Sequence, residues 1–167
     1  MIYLIWTLIN AFLILYFFYL IIGFVFKGKQ FLKTKFKSVS IAIMIIGIVQ
    51  IISATNLEER TNRISISNNY DKHNDTRTKK IVLAENLVFD INIFVQYSVD
   101  GNKLIPIESN SYLTGLISGY AWEFKSIQTN TKKIDQNENY IVDGVLKWNL
   151  FGINVYSQTK TFSGIIK

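Results

Sequence analysis

Two uninterrupted apolar runs open the chain, and a strict alternation of apolar and polar residues dominates its second half. From Met1 to Phe26 there is no charged residue, and Thr7 and Asn10 are the only strongly polar side chains. A helix rises about 1.5 Å per residue, so a run of this length outreaches a hydrocarbon layer roughly 30 Å thick. A helix that is apolar on every side has no place inside a short soluble chain. The pattern predicts a membrane span over residues 2–26. A secretory signal would carry basic residues ahead of its apolar run, and here they follow it. The second run, Ser38–Thr55, is also uncharged, but its eighteen residues are near the lower limit for a span. It is expected to complete a two-helix transmembrane hairpin, residues 1–55, with spans at 2–26 and 38–55. A re-entrant segment and an internal signal sequence are the rival readings of this second run.

Charge decides the orientation. Between the runs lie Lys27, Lys29, Lys33, Lys35 and Lys37, with no acid among them. The formal net charge is +6; these lysines supply five of it, and the other thirteen Lys and Arg face twelve acids. An excess confined to one short loop is the positive-inside pattern, which puts residues 27–37 in the cytoplasm and the chain after about Thr55 outside. Lipid headgroups are a secondary partner for these lysines, at about 1 kcal/mol for each one close to an anionic surface. Nucleic acid is excluded as a partner, because it requires a basic face on a folded domain. Tyr3 and Trp6 suit the outer interface as aromatic anchors.

In an antiparallel hairpin turning near Leu32, Asn10 comes level with Ser53 to Thr55, and Tyr16 falls within a turn of Gln50. Such groups in lipid satisfy one another, with interhelical hydrogen bonds worth roughly 0.6–2 kcal/mol. They read as packing contacts and not as a conduction path, because neither run contains an Asp, Glu, Lys, Arg or His.

Residues 56–79 are charged and Asn-rich, with one brief alternation at Ile64 and Ile66, and read as a polar linker. His73, the sole histidine, lies there; with no cysteine in the chain, no metal-ligand spacing arises. Residues 80–167 carry the strand signals. Leu87, Phe89, Ile91, Ile93, Val95 and Tyr97 alternate with polar residues and predict a half-buried strand. Asp100-Gly101 marks a tight hairpin turn, and Pro106 in the return strand suits an edge or a strand end. Tyr112, Leu116, Tyr120, Trp122 and Phe124 share one face of the next stretch, with Gly115, Gly119 and Ala121 on the other. Beyond a polar loop, Tyr140, Val142, Leu146, Trp148 and Leu150 alternate again, Gly152 permits a turn, and one long or two short strands close the chain. Roughly five to seven strands joined by short turns predict a small, mainly antiparallel β domain, sandwich or barrel-like. A helix over Leu113–Ser118 would make it α+β.

Catalytic chemistry finds little support. His73 has no nucleophile beside it in the pattern, and Asp90, Glu123 and Asp143 fall on polar strand faces, where a solvated carboxylate is the ordinary occupant. There is no Gly-rich phosphate loop or dinucleotide fingerprint, so no cofactor is expected. Tyr120, Trp122 and Phe124 could form a platform for a glycan or peptide, but core packing accounts for the same spacing. The chain reads as a non-enzymatic integral membrane protein. The abundance of Ile, Asn and Lys points to an AT-rich bacterial gene, which places it in the cytoplasmic membrane with the C-terminal domain outside. With no cysteine, that domain holds together by its core alone. Its expected role is protein–protein contact in the cell envelope, as an accessory subunit or immunity-type protein, with the bilayer and another envelope protein as partners. The alternative is a lipid- or glycan-binding protein with a cavity in the β domain.

Reporter fusions after Gln30 and after Lys167 are expected to report opposite compartments. Replacing the five loop lysines with Gln should erode that preference, since no other charge bias sets it. Both reporters on one side would mean that one of the two runs does not cross.

Overall fold

The computed structural model describes residues 1–28, 37–54, 62–67, 75–100, 103–129 and 138–166. Helix α1 (Ile2–Lys27) carries apolar residues all round its axis and is long and apolar enough to cross a membrane. Helix α2 (Lys37–Ala54) is also apolar, but its stretch Ser38–Val49 is shorter than a span. Among the described residues one helix of spanning length is therefore shown, and the expected second crossing is not. The helices meet where Phe17 packs against Gly47 and where the Tyr16 hydroxyl lies 3.1 Å from Ser40 Oγ.

Strands β1 (Arg63–Ser65), β2 (Thr76–Glu85), β3 (Phe89–Asp100), β4 (Lys103–Gly115), β5 (Tyr120–Thr129), β6 (Glu138–Leu150) and β7 (Ile153–Ile166) follow. They form two sheets, ordered β1-β4-β3-β2 and β5-β6-β7, and every pairing is antiparallel. Alternation places the inward residues of β3, β5 and β6 in one shared core. Phe89, Ile91, Ile93, Val95 and Tyr97 are each at most 2% exposed. Facing them are Tyr120, Trp122 and Phe124 from β5, and Tyr140, Val142, Leu146 and Trp148 from β6.

The strand ends differ from expectation in informative ways. Leu87 lies in the turn before β3 and is 81% exposed. Tyr112 does not share a face with Tyr120. It belongs to β4, outside the core, where its ring stacks on Phe94 with centroids 5.3 Å apart. Leu113–Ser118 is not helical: β4 runs on to Gly115, and Leu116 N–H then bonds the Val88 carbonyl at 2.7 Å. Pro106 sits in an internal strand, at a bulge where the register passes from Gln96↔Glu108 to Tyr97↔Pro106. A bulge tolerates a residue that cannot donate to the ladder. Within the stretch expected as linker, β1 forms at the Ile64 alternation and β2 begins at Thr76. Asn62, just before β1, bonds both sheets. Its Nδ2 donates to the Trp122 carbonyl (2.7 Å), its Oδ1 accepts from Phe124 N–H (3.1 Å), and its carbonyl accepts from Ser111 N–H (3.0 Å). His73 and the Gly101 turn lie outside the described residues.

The core is closed by a fit between one large and two small residues. Trp122 Nε1–H donates to Ser111 Oγ at 2.8 Å, and Ser111 Oγ–H donates to the Asn92 carbonyl at 2.9 Å. The indole lies over Gly144, where any Cβ would collide with the ring. Trp122→Ala is therefore expected to cost the full-length protein about 3–5 kcal/mol, and Gly144→Ala about 1–3 kcal/mol. In the Trp122→Ala background the Gly144→Ala cost should fall, because the added methyl then enters vacated space. Urea unfolding of the four proteins in detergent, followed by circular dichroism, checks this. Strictly additive costs would mean that the two residues do not share the space.

Candidate functional site

The first turns of α1 do not stand free. Spacing of three and then four residues puts Tyr3, Trp6 and Asn10 on one helix face, and that face plugs the end of the β core. The Tyr3 ring lies 5.2 Å from Phe89, 5.3 Å from Trp148 and 6.0 Å from Tyr120, centroid to centroid. Trp6 packs on Trp148 at 5.8 Å, and its Nε1–H donates to the Gly119 carbonyl at 3.2 Å. Tyr120 O–H donates to the Tyr3 carbonyl at 2.8 Å. Burial pushes the Tyr120 phenol up to about 12, opposed by a hydrogen bond with Thr7, so it stays a donor at physiological pH. Asn10 is buried against Gly119, which has room for no Cβ there, and its Nδ2–H donates to the Trp6 carbonyl at 3.1 Å.

Beside this joint a groove of about 590 Å³ opens between Ile5 and Ile9 of α1 and Trp148, Val155 and Tyr156 of the sheet. Ile5, Val155 and Tyr156 are each more than half exposed. Trp148 lines the groove, and its buried indole N–H has no acceptor among the described residues. An orphaned buried donor is uncommon and calls for a partner. Strand β7, on the open side, is the last strand of its sheet, so one backbone edge is not paired within it.

The carboxylates do not assemble into a reactive set. Glu123 lies 2.5 Å from Lys125 Nζ and 2.6 Å from Lys147 Nζ. Hydrogen bonds from Lys125 and then Lys147 hold its carboxyl down at about 2, so it is no proton donor near neutral pH. Asp143 accepts from Ser126 Oγ (3.0 Å) and Thr161 Oγ1 (2.6 Å), and Asp90 lies on the other sheet. Among the described residues no group of three His, Cys, Asp or Glu could hold a metal ion.

The residues singled out from sequence are dispersed. Lys27 ends α1 and Lys37 begins α2, while Lys29, Lys33 and Lys35 lie outside the described residues. Tyr16 meets Ser40, and Asn10 meets the β domain. The side chains of Gln50 and Ser53 are outside the described set. Tyr120, Trp122 and Phe124 are 6–7% exposed and belong to the core. The residues that sequence reasoning missed are Tyr3 and Trp6 as domain contacts, with Val155 and Tyr156 beside them. Their available signal was Asn10, a polar residue in an apolar run on the same helix face. Comparison with protein-family models, with curated proteins and with solved structures finds no match to this chain.

The depressed Glu123 value fixes a pH dependence. A carboxyl lowered on folding stabilises the protein above its ordinary value of 4.5, and that contribution is lost as the pH falls towards about 2. The ion pairs are largely solvated, so the effect at pH 7 should be about 0.2–1 kcal/mol. Glu123→Gln is expected to be less stable than the parent at pH 7, with the two curves converging as pH drops from 4.5 to 2. Urea midpoints against pH measure it; parallel curves would deny the assignment.

Proposed function

We propose that this chain is a membrane-anchored module of the cell envelope that works by protein contact. In this reading α1 crosses the membrane, α2 completes a hairpin, and the β domain is an extracytoplasmic sandwich. One observation carries it: a groove with an apolar lining runs beside β7, whose outer edge is unpaired within its sheet, at the point where the anchor enters the domain. Exposed Ile153, Val155 and Tyr156 on an edge strand make a template for another chain, and native proteins cover or charge such edges. The occupant that fits is an envelope protein with its own membrane segment, because Ile5 and Ile9 continue directly into the apolar surface of α1. The aromatic face of β5 is occupied by core packing, which favours contact over a ligand enclosed within the sheets.

A second reading has a specific observation behind it. The unpartnered Trp148 indole N–H in an aliphatic groove would suit a lipid, with a carbonyl on the indole and a chain along Ile5 and Ile9. A photo-crosslinking residue at Val155 or Tyr156 of the full chain, irradiated in intact cells, separates the two. The contact reading expects a discrete protein adduct that disappears with Tyr156→Lys at the neighbouring position. Gln128, at the far end of β5, should give none. Lipid adducts alone would establish the second reading, and no adduct from either position would dismiss both.

A further inference from the structure

Three turns meet at the end of the β domain where α1 is docked. They are Asn86–Val88 before β3, Leu116–Gly119 before β5, and Phe151–Gly152 before β7. Hydrogen bonds from Leu116 N–H to Val88 O and from Asn149 N–H to Gly119 O, at 2.7 and 2.8 Å, join them into one surface. That surface is apolar and open: Leu87 is 81% exposed, Leu116 65% and Ile153 52%. Two of the three turns are free of charge, since none occurs from Ser109 to Trp122 or from Trp148 to Thr159, while Glu85 and its strand partner Asp90 flank the first. The sequence between β5 and β6 contains Lys132, Lys133 and Asp135.

The helix supplies a depth scale. With Lys27 at the inner surface, a layer roughly 30 Å thick reaches about twenty residues up α1, to the neighbourhood of Thr7. Phe17 then lies about 15 Å below the outer boundary. The Phe151 ring meets the Phe17 ring at 6.2 Å between centroids. Ser118 and Gly152 line a hollow with Asn10 and Ile14, at intermediate depth. The second and third of these turns therefore stand alongside the part of α1 that the anchor reading places in lipid, and the first adjoins them through the Leu116–Val88 hydrogen bond.

Two features make such a position tenable. Backbone in hydrocarbon must be satisfied internally. Asn86 Oδ1 accepts from Val88 and Phe89 N–H at 3.0 and 3.1 Å, and Gly119 O accepts from Trp6 Nε1–H. Ile117 N–H bonds Gly115 O, and Tyr120 N–H bonds Ile117 O, at 3.0 and 2.9 Å. The second feature is Phe151 itself. Leu150 pairs with Ile153, and the two residues between them have φ of 48° and 72°. A two-residue turn with both φ positive prefers Asn, Asp or Gly at its first position, and an aromatic residue there is strained. Strain of this kind persists where the side chain has another task.

We propose that this end of the β domain is immersed in the outer leaflet, with Phe151 as its deepest point and Leu87, Leu116 and Ile117 at shallower levels. Its ligand is the acyl-chain region of the bilayer. The proposal rests on the reading that α1 crosses the membrane, and its test separates the two. The chain has no cysteine, so single cysteines report cleanly. Full-length proteins with Leu116→Cys, Phe151→Cys, Phe18→Cys or Gln128→Cys are labelled with an environment-sensitive fluorophore. They are then reconstituted in phosphatidylcholine–phosphatidylglycerol vesicles. Labels at 116, 151 and 18 should be quenched by spin labels on the acyl chains and shielded from aqueous iodide, with the reverse at 128. A label at 18 in lipid with those at 116 and 151 open to iodide overturns the immersion and leaves the anchor standing. Iodide access at 18 overturns both. Phe151→Asn, which suits the turn better, should keep the circular dichroism spectrum and lose acyl-chain quenching at 116. Unchanged quenching there would remove Phe151 from its assigned role.

Discussion

Everything else in this structure depends on the joint between the start of α1 and the open end of the β core. Tyr3 and Trp6 fill the space bounded by Phe89, Tyr120 and Trp148, and two hydrogen bonds to backbone carbonyls fix the helix in rotation and height. Burying large apolar side chains contributes about 1.5–3 kcal/mol apiece, so the joint is comparable with a substantial part of a small domain's stability. Removing the helix would expose Tyr120 and Trp148, which the two sheets alone do not cover. Helix α1 is therefore a component of the fold. It sets the walls of the groove and the direction in which the three apolar turns point.

Much of the β domain was legible because alternation is a strong signal when one face is fully buried. Phe89 to Tyr97, Trp122 and Phe124, and Tyr140 to Trp148 all lie inside, on the faces their spacing predicts. The misses share a cause. Period-2 spacing says which residues share a face but not where a strand stops, so Leu87 and Leu116 read as core although both lie in turns. Register is a relation between strands, so neither the bulge at Pro106 nor the hydrogen bonds of Asn62 to both sheets could be read from one segment. A three-residue strand such as β1 leaves almost no pattern.

The joint was invisible for a different reason. A helix that is apolar all round carries no directional information, so its sequence cannot say which face meets the β domain. Asn10 broke that symmetry. In a two-helix picture its natural partner is the second helix. In the structure it lies against Gly119, the residue whose carbonyl receives Trp6. A polar residue in an apolar run marks a protein contact but does not name the element that makes it.

Strand β7 connects the joint to the outer surface. It is an edge strand of 14 residues, long enough in water to invite pairing with another chain unless charges prevent it. Its distal half is guarded in the usual way, with Lys160 between two threonines. The proximal half, Ile153 to Gln158, has no charge, and its apolar residues are exposed. Protection of the edge therefore stops near the level at which α1 and the three turns begin. An edge bathed in water along its whole length would need the guard throughout. An edge whose near half is covered, by lipid below or by a partner seated in the groove, needs it only beyond the cover. On the proposed reading, the uncharged run from Ile153 to Thr159 is the length of edge that such a cover would take.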